Sequence, residues 1–237
     1  LCPAGGYCPA GSAIGIPCPF GKYSKSPGAK TEFDCIPCDP GFFCSGSSRD
    51  CSARYICLGG SSTPTPTDGI TGSLCPEGQY CPKGTPAPIP CPLGTWSNST
   101  GLGIAGECQQ CTGGYYCAST GLKEPTGTCD ARFYCSQGAV VSNPSDGVTG
   151  NSCTIGNYCP IGTAVPIPCA DGTYMPNTGA DECFNCTPGH YCVSQTTPED
   201  CPPGYYCPEG TGECFLLSFF NLSLLVKNFF LNFLRMI

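Results

Sequence analysis

The sequence predicts a small disulfide-rich fold, irregular with short β-strands, built as an elongated tandem-repeat rod with essentially no helix in residues 1–214. Three observations carry that prediction. Of 237 residues, 25 are Cys, 33 Gly and 26 Pro, against 11% charged residues. Eight cysteines recur three times at nearly matching intervals. Within each set a short Cys-x-x-Gly-x-aromatic word recurs.

Cysteine above roughly 8–10% marks a disulfide scaffold, because such a chain buries too little apolar area to offset the entropy of ordering it. Thiols in this number stay reduced in a cytosol kept by glutathione and thioredoxin, so the expected location is extracellular or at the cell surface. The formal charge of −7 is modest and contains no Lys/Arg run, so no nucleic-acid partner is expected.

The cysteines set the domain organisation. Residues 2–74 form the first cysteine-rich repeat, with Cys2, Cys8, Cys18, Cys35, Cys38, Cys44, Cys51 and Cys57. Residues 75–152 form the second, with Cys75, Cys81, Cys91, Cys108, Cys111, Cys117, Cys129 and Cys135. Residues 153–214 form the third, with Cys153, Cys159, Cys169, Cys183, Cys186, Cys192, Cys201 and Cys207. The intervening residues match as well: CPAGSAIGIPC, CPKGTPAPIPC and CPIGTAVPIPC are one segment written three times. The 18-residue links Cys57–Cys75 and Cys135–Cys153 share PTDGITG and PSDGVTG, and any flexing is expected there. Their aspartates, Asp68 and Asp146, supply one carboxylate each, far from the six to eight oxygens of a calcium site, so a turn is the reading.

The recurring word has a mechanical meaning. It is seen in CPAGGY, CPFGKY, CDPGFF, CPEGQY and their later copies. Pro presets φ near −65°, and the glycine tolerates φ above zero, so the pair makes a tight turn that launches a short strand. Units of this kind are expected to contact mainly their neighbours.

The pattern CPFGKYSKSPGAKTEFDCIPCDPGFFC resembles the ephrin-receptor-like cysteine-rich repeats, in a style shared with tumour-necrosis-factor-receptor-like and furin-like modules. The resemblance covers residues 2–214 and implies an extracellular spacer or adhesive scaffold. It also implies a pairing of Cys18–Cys35, Cys38–Cys51, Cys44–Cys57 and Cys2–Cys8, repeated in register. The additional CPxG[ST]xxxIPC segment is a departure from the family.

Parity assigns the 24 cysteines to four disulfides per repeat, leaving Cys214 unpaired or bonded between repeats. A bridge closing a 15-residue loop is worth about 3 kcal/mol in the chain-entropy model, so four rival the stability of a small domain. The CxxC pairs Cys35/Cys38, Cys108/Cys111 and Cys183/Cys186 have zinc half-site spacing, but the other cysteines and a single His, His190, supply no matching half. No metal, cofactor or catalytic residue is expected. His190 occupies the place of Phe42 and Tyr115, which makes it a packing residue, and the chain is expected not to be an enzyme. Covalent glycans are expected instead: Asn98 and Asn185 head sequons, and Thr63, Thr65 and Thr67 lie in a Ser/Thr/Pro strip.

Residues 215–237, FLLSFFNLSLLVKNFFLNFLRMI, lack Gly, Pro and Cys. They read as a gene-model artefact, a membrane anchor or an assembly segment. A membrane partner is expected only if they are an anchor, and the sequon at Asn221 is set aside with them. Cys214 reads as the possible opening of a fourth repeat. The function expected is a non-enzymatic structural or adhesive glycoprotein segment of a surface or secreted fibre, self-associating into filaments or binding other extracellular proteins. The alternative is the ligand-binding ectodomain of a receptor.

Overall fold

The computed structural model describes residues 1–216. They contain two-stranded antiparallel ladders, turns and two single-turn 3-10 segments, Glu32–Asp34 and Ala105–Glu107, with no α-helix. This is the small disulfide-rich, irregular fold of short strands expected.

The structural repeat is smaller than the eight-cysteine set. It is a hairpin with three fixed places: an opening cysteine, a residue with positive φ three positions on, and a closing residue three positions further. Such units open at Cys2, Cys18, Cys38 and Cys51, and again four times in each later repeat. Twelve positive-φ residues mark them, from Gly5 (89°) and Gly21 (77°) to Gly189 (88°) and Gly204 (85°). The turn hydrogen bond is Lys22 N–H to the Pro19 carbonyl (3.0 Å) in one unit and Thr95 N–H to Pro92 (3.1 Å) in another. Positive φ at the third turn residue is the type II signature, which is why glycine dominates that place.

The two residues after the turn pair with the two before the next opening cysteine. Gly6–Tyr7 meets Ile16–Pro17, Lys22–Tyr23 meets Ile36–Pro37, and Gln79–Tyr80 meets Ile89–Pro90. The IPC segments are therefore the return strands. In the 18-residue links the ladder is one residue longer, Tyr55–Cys57 against Gly72–Leu74 and Phe133–Cys135 against Gly150–Ser152. PTDGITG and PSDGVTG close these longer loops. Buried Pro66 and Pro144 pack where a Cβ on Gly72 or Gly150 would strike the proline ring, so both glycines are obligatory.

The described residues divide into two bodies, residues 1–128 with 137–141, and residues 129–136 with 142–216. Inside each body successive hairpins are joined by the same backbone bonds. The opening N–H of one unit donates to the carbonyl of the preceding left-handed residue, as in Cys18 to Gly5 (3.0 Å), Cys75 to Arg54 (2.8 Å) and Cys169 to Gly156 (3.0 Å). That residue's own N–H donates to the closing carbonyl of the next unit, as in Gly41 to Cys57 (2.9 Å) and Gly172 to Cys192 (3.1 Å). Buried backbone groups need such partners, and ladders two residues long supply few.

Sulfur is the core. Among the described residues, glycines and prolines aside, 21 of the 26 buried hydrophobic residues are cysteines; the others are Ile56, Leu102, Ala139, Met175 and Ala180. Exposed Ile14, Phe20, Phe33, Ile70 and Val148 show how little aliphatic surface the fold can hide.

Candidate functional site

All 24 cysteines of the three sets form 12 disulfides, with Cα separations between 5.5 and 6.4 Å. That is the spacing an unstrained bridge requires. Nine bridges join the opening and closing residues of one hairpin: Cys2–Cys8, Cys38–Cys44, Cys51–Cys57, Cys75–Cys81, Cys111–Cys117, Cys129–Cys135, Cys153–Cys159, Cys186–Cys192 and Cys201–Cys207. The expected Cys38–Cys51 and Cys44–Cys57, with their counterparts in the other repeats, are thus corrected. The turn brings a hairpin's own ends together, and the receptor-style interleaving has no such local geometry to draw on.

The second unit of each repeat is the exception. Its closing place holds buried Ser24, Ser97 or Met175, so the opening cysteine pairs onward as Cys18–Cys35, Cys91–Cys108 and Cys169–Cys183. Ser24 replaces the missing bridge with hydrogen bonds, accepting from Gly5 N–H (3.0 Å) and donating to the Gly6 carbonyl (3.0 Å). Both sulfurs of every CxxC are taken: Cys35 by Cys18 and Cys38 by Cys44, and likewise in the later repeats. Among the described residues no group of three His, Cys, Asp or Glu converges to hold a metal.

Cys214 is free and half-buried. Phe215–Leu216 pair with Tyr205–Tyr206 as a return strand, and in the other units the opening cysteine directly follows the return strand. Cys214 therefore lies three residues short of the register in which it would open another unit. The tail from 217 onward, including Asn221, lies outside the described residues. Among the described residues no helix is long and apolar enough to cross a membrane.

Two of the twelve left-handed places hold arginine, Arg54 in CSARYIC (φ 79°) and Arg132 in CDARFYC (φ 77°). Sequence reasoning keyed on glycine missed both. Each is at the fourth unit of its repeat and reaches into the following repeat. Arg54 Nη1 donates to the Gly101 carbonyl (2.8 Å) and Nη2 to Glu107 Oε1, while Glu107 Oε2 accepts Gly103 N–H (2.7 Å). Gly103 N–H, and then the guanidinium, hold the Glu107 carboxyl below its ordinary value. Arg132 Nε meets Asp181 Oδ1 at 3.3 Å. In the fourth unit of the third repeat the place is Gly204.

Asp68 Oδ1 accepts Ile70 N–H (2.9 Å), Thr71 N–H (2.8 Å) and Gly72 N–H (3.3 Å), and Oδ2 accepts the Thr71 hydroxyl (2.7 Å). The Thr71 hydroxyl and then the loop N–H groups pull its pKa down to about 2. Asp146 repeats the arrangement with Val148 and Thr149 and is lowered for the same reason. Both carboxylates are spent on their own loops.

His190 Nε2 lies 3.1 Å from Asp200 Oδ1, and its Nδ1 lies 3.2 Å from the Thr187 hydroxyl, on an exposed hairpin. Asn98 and Asn185 are exposed, as are Thr65 and Thr67. Thr63 is half-buried, its carbonyl accepting the Ser61 hydroxyl (2.9 Å).

No known protein-family model matches the chain. It is similar to ABC transporter G family member 25 of Oryza sativa subsp. japonica, 25% identical over 181 residues, which cover 74% of this chain and 14% of that protein. It is also similar to Cysteine repeat modular protein A of Toxoplasma gondii, 31% identical over 106 residues, which cover 42% of this chain and 3% of that protein. The chain thus spans a small part of the length of the curated relatives it matches. These are cysteine-rich, tandem, disulfide-bonded repeats.

Proposed function

We propose that residues 1–216 are a non-enzymatic structural and adhesive segment of an extracellular surface protein, a disulfide-locked spacer that self-associates or meets other extracellular proteins and carries glycans. The observation that carries this reading is the near-complete replacement of an aliphatic core by disulfides. A chain whose buried hydrophobic side chains are mostly bridged cysteines depends on an oxidising compartment for its fold. Similarity to short stretches of far longer proteins, one of them named a cysteine repeat modular protein, supports a modular segment of a surface protein. The exposure of Asn98, Asn185, Thr65 and Thr67 supports glycan attachment there, whereas Thr63 is half-buried and would need its loop to open.

Surface labelling of intact cells with an antibody to residues 1–216, paired with thiol alkylation of the native protein, tests the reading. Labelling without permeabilisation, with Cys214 alone alkylated, is expected. An intracellular protein with many free thiols sinks it. The receptor-ectodomain reading draws on the unequal hairpin loops 45–47, 117–126 and 192–198; electron microscopy showing filaments favours the structural reading over it.

A further inference from the structure

Arg54 closes the loop that receives it in the second repeat, whereas Arg132 leaves its own open in the third. The backbone sets the correspondence. Gly101 N–H donates to the Cys75 carbonyl (2.7 Å) and Gly179 N–H to that of Cys153 (2.8 Å), while Cys81 N–H reaches Leu102 (2.9 Å) and Cys159 N–H reaches Ala180 (2.8 Å). Asp181 therefore stands at the place of Gly103, and Glu182, one residue before its bridged cysteine, at that of Glu107. Residues 104–106 have no counterpart, since Cys91 and Cys108 are 17 apart in sequence and Cys169 and Cys183 only 14. Arg54 commits its terminal nitrogens to the Gly101 carbonyl and Glu107. Arg132 instead meets Asp181 through Nε (3.3 Å), so among the described residues its two terminal nitrogens and the Glu182 carboxylate have no hydrogen-bond partner. We propose that the pocket left around Arg132 binds a neutral saccharide.

The pocket encloses about 300 Å³, at the lower end of the roughly 300–1,000 Å³ of small-ligand sites. Arg132, Asn177, Glu182 and Phe184 line it together with buried Met175. A ring bearing adjacent hydroxyls needs this mixture. The guanidinium and the Asn177 amide donate, the Glu182 carboxylate and the Asn177 carbonyl accept, and each sugar hydroxyl does both. The planar guanidinium and carboxylate forks can each engage two neighbouring hydroxyls at once, with charge assistance. Phe184 is exposed, its ring centroid 6.0 Å from that of Tyr174, and it offers an apolar face to the C–H side of a sugar ring. Arg132 is held before any ligand arrives: its N–H donates to the Cys159 carbonyl (2.7 Å), its carbonyl accepts Cys153 N–H (2.8 Å), and Asp181 fixes Nε, so little freedom is lost on binding. Charge selects among the ligands that could use these groups. One guanidinium faces two carboxylates, and residues 133–216 contain eight Asp and Glu with no Lys or Arg, so a sialylated or sulfated glycan is repelled. An ammonium is opposed by Arg132 in the same wall. The inference rests on the adhesive reading above and gives it a ligand class.

The probes are lactose, maltose and mannobiose, each titrated into the oxidised full chain and followed by amide chemical shifts. At least one is expected to give saturable shifts at residues 177–182 and Phe184 at about millimolar concentration, the affinity of an open site with few contacts. Glu182→Gln, which alters a side chain without a hydrogen-bond partner in the described fold, is expected to weaken that binding about tenfold. Phe184→Leu, which keeps apolar bulk and removes the ring face, is expected to weaken it about fivefold. No shifts in this pocket with any of the three sugars, or binding that either variant leaves unchanged, overturns the proposal and leaves the adhesive reading standing. Equal shifts of the same residues with sodium acetate or methylammonium chloride also overturn it, because the pocket would then read charge and not hydroxyls. The adhesive reading fails separately, in the surface labelling described above, whatever the titration shows.

Discussion

Glycine at the left-handed place serves two separable purposes, and two alanine substitutions part them. Any L-residue there costs about 1–2 kcal/mol for the conformation alone. At Gly204 a Cβ would meet nothing within 4 Å, so Gly204→Ala should cost only that conformational part. At Gly21 a Cβ would strike the Gly60 carbonyl, a backbone atom of the loop stacked on it. Displacing a packed neighbour typically costs a further 1–3 kcal/mol, so Gly21→Ala should cost about 3 kcal/mol in total. Two reporters sit at that contact, since Cys38 N–H donates to the Gly21 carbonyl (2.8 Å) and Gly60 N–H to that of Cys38 (2.8 Å). Native-state hydrogen exchange of these amides should accelerate about 100-fold in Gly21→Ala, while the amide of Tyr205 accelerates about tenfold in Gly204→Ala. Equal effects at the two sites would refute the reasoning, because the stacking contact would then contribute nothing. A side chain at this place is compatible with the fold where the neighbour leaves room, as Arg54 and Arg132 demonstrate.

Three further outcomes are expected. Partial proteolysis without reduction should release Cys38–Cys44 and Cys51–Cys57 as separate closed hairpins, and a fragment holding Cys38 to Cys51 by a bridge would contradict the fold. Replacing Cys91 and Cys108 by alanine opens an 18-residue loop and should cost about 3 kcal/mol, against about 2 for Cys111 and Cys117, whose loop is seven; denaturant midpoints under oxidising conditions give the comparison. The carboxyls of Asp68 and Asp146 have folded pKa values below their unfolded ones. They therefore favour the folded loops fully above about pH 4, and Asp68 loses that contribution as the pH falls towards about 2. Amide exchange at Ile70 and Thr71 should rise over that interval, and Asp68→Asn should remove most of the pH dependence; a flat profile in the unaltered protein would contradict the assignment.

Fold class and turn chemistry were legible because Cys-x-x-Gly-x-aromatic dictates a turn and a strand whatever surrounds it. The return strands were half visible in the repeated Ile-Pro-Cys. Connectivity was not, since a count of eight cysteines carries parity and no geometry. A signal did exist: CPFGKYS set beneath CPAGGYC shows Ser24 at the place of Cys8, so Cys18 lacks a closing partner and must pair onward. Arg54 and Arg132 escaped notice because a pattern that insists on glycine skips the places where another residue bears the same backbone. Their acidic partners lie about 50 residues downstream, a separation at which only the stacked hairpins bring charges together.

Closing nine bridges within single hairpins has a mechanical consequence. Tension along the backbone bypasses each closed ring through its sulfur–sulfur bond, so the residues inside are shielded from the load. Only the connecting loops and their ladders can be drawn out. Reducing one hairpin bridge would lengthen a fully stretched chain by no more than about six residues, roughly 20 Å. Reducing Cys18–Cys35 would free about 17, nearly three times as much, so slack under force is concentrated in one bridge of each four.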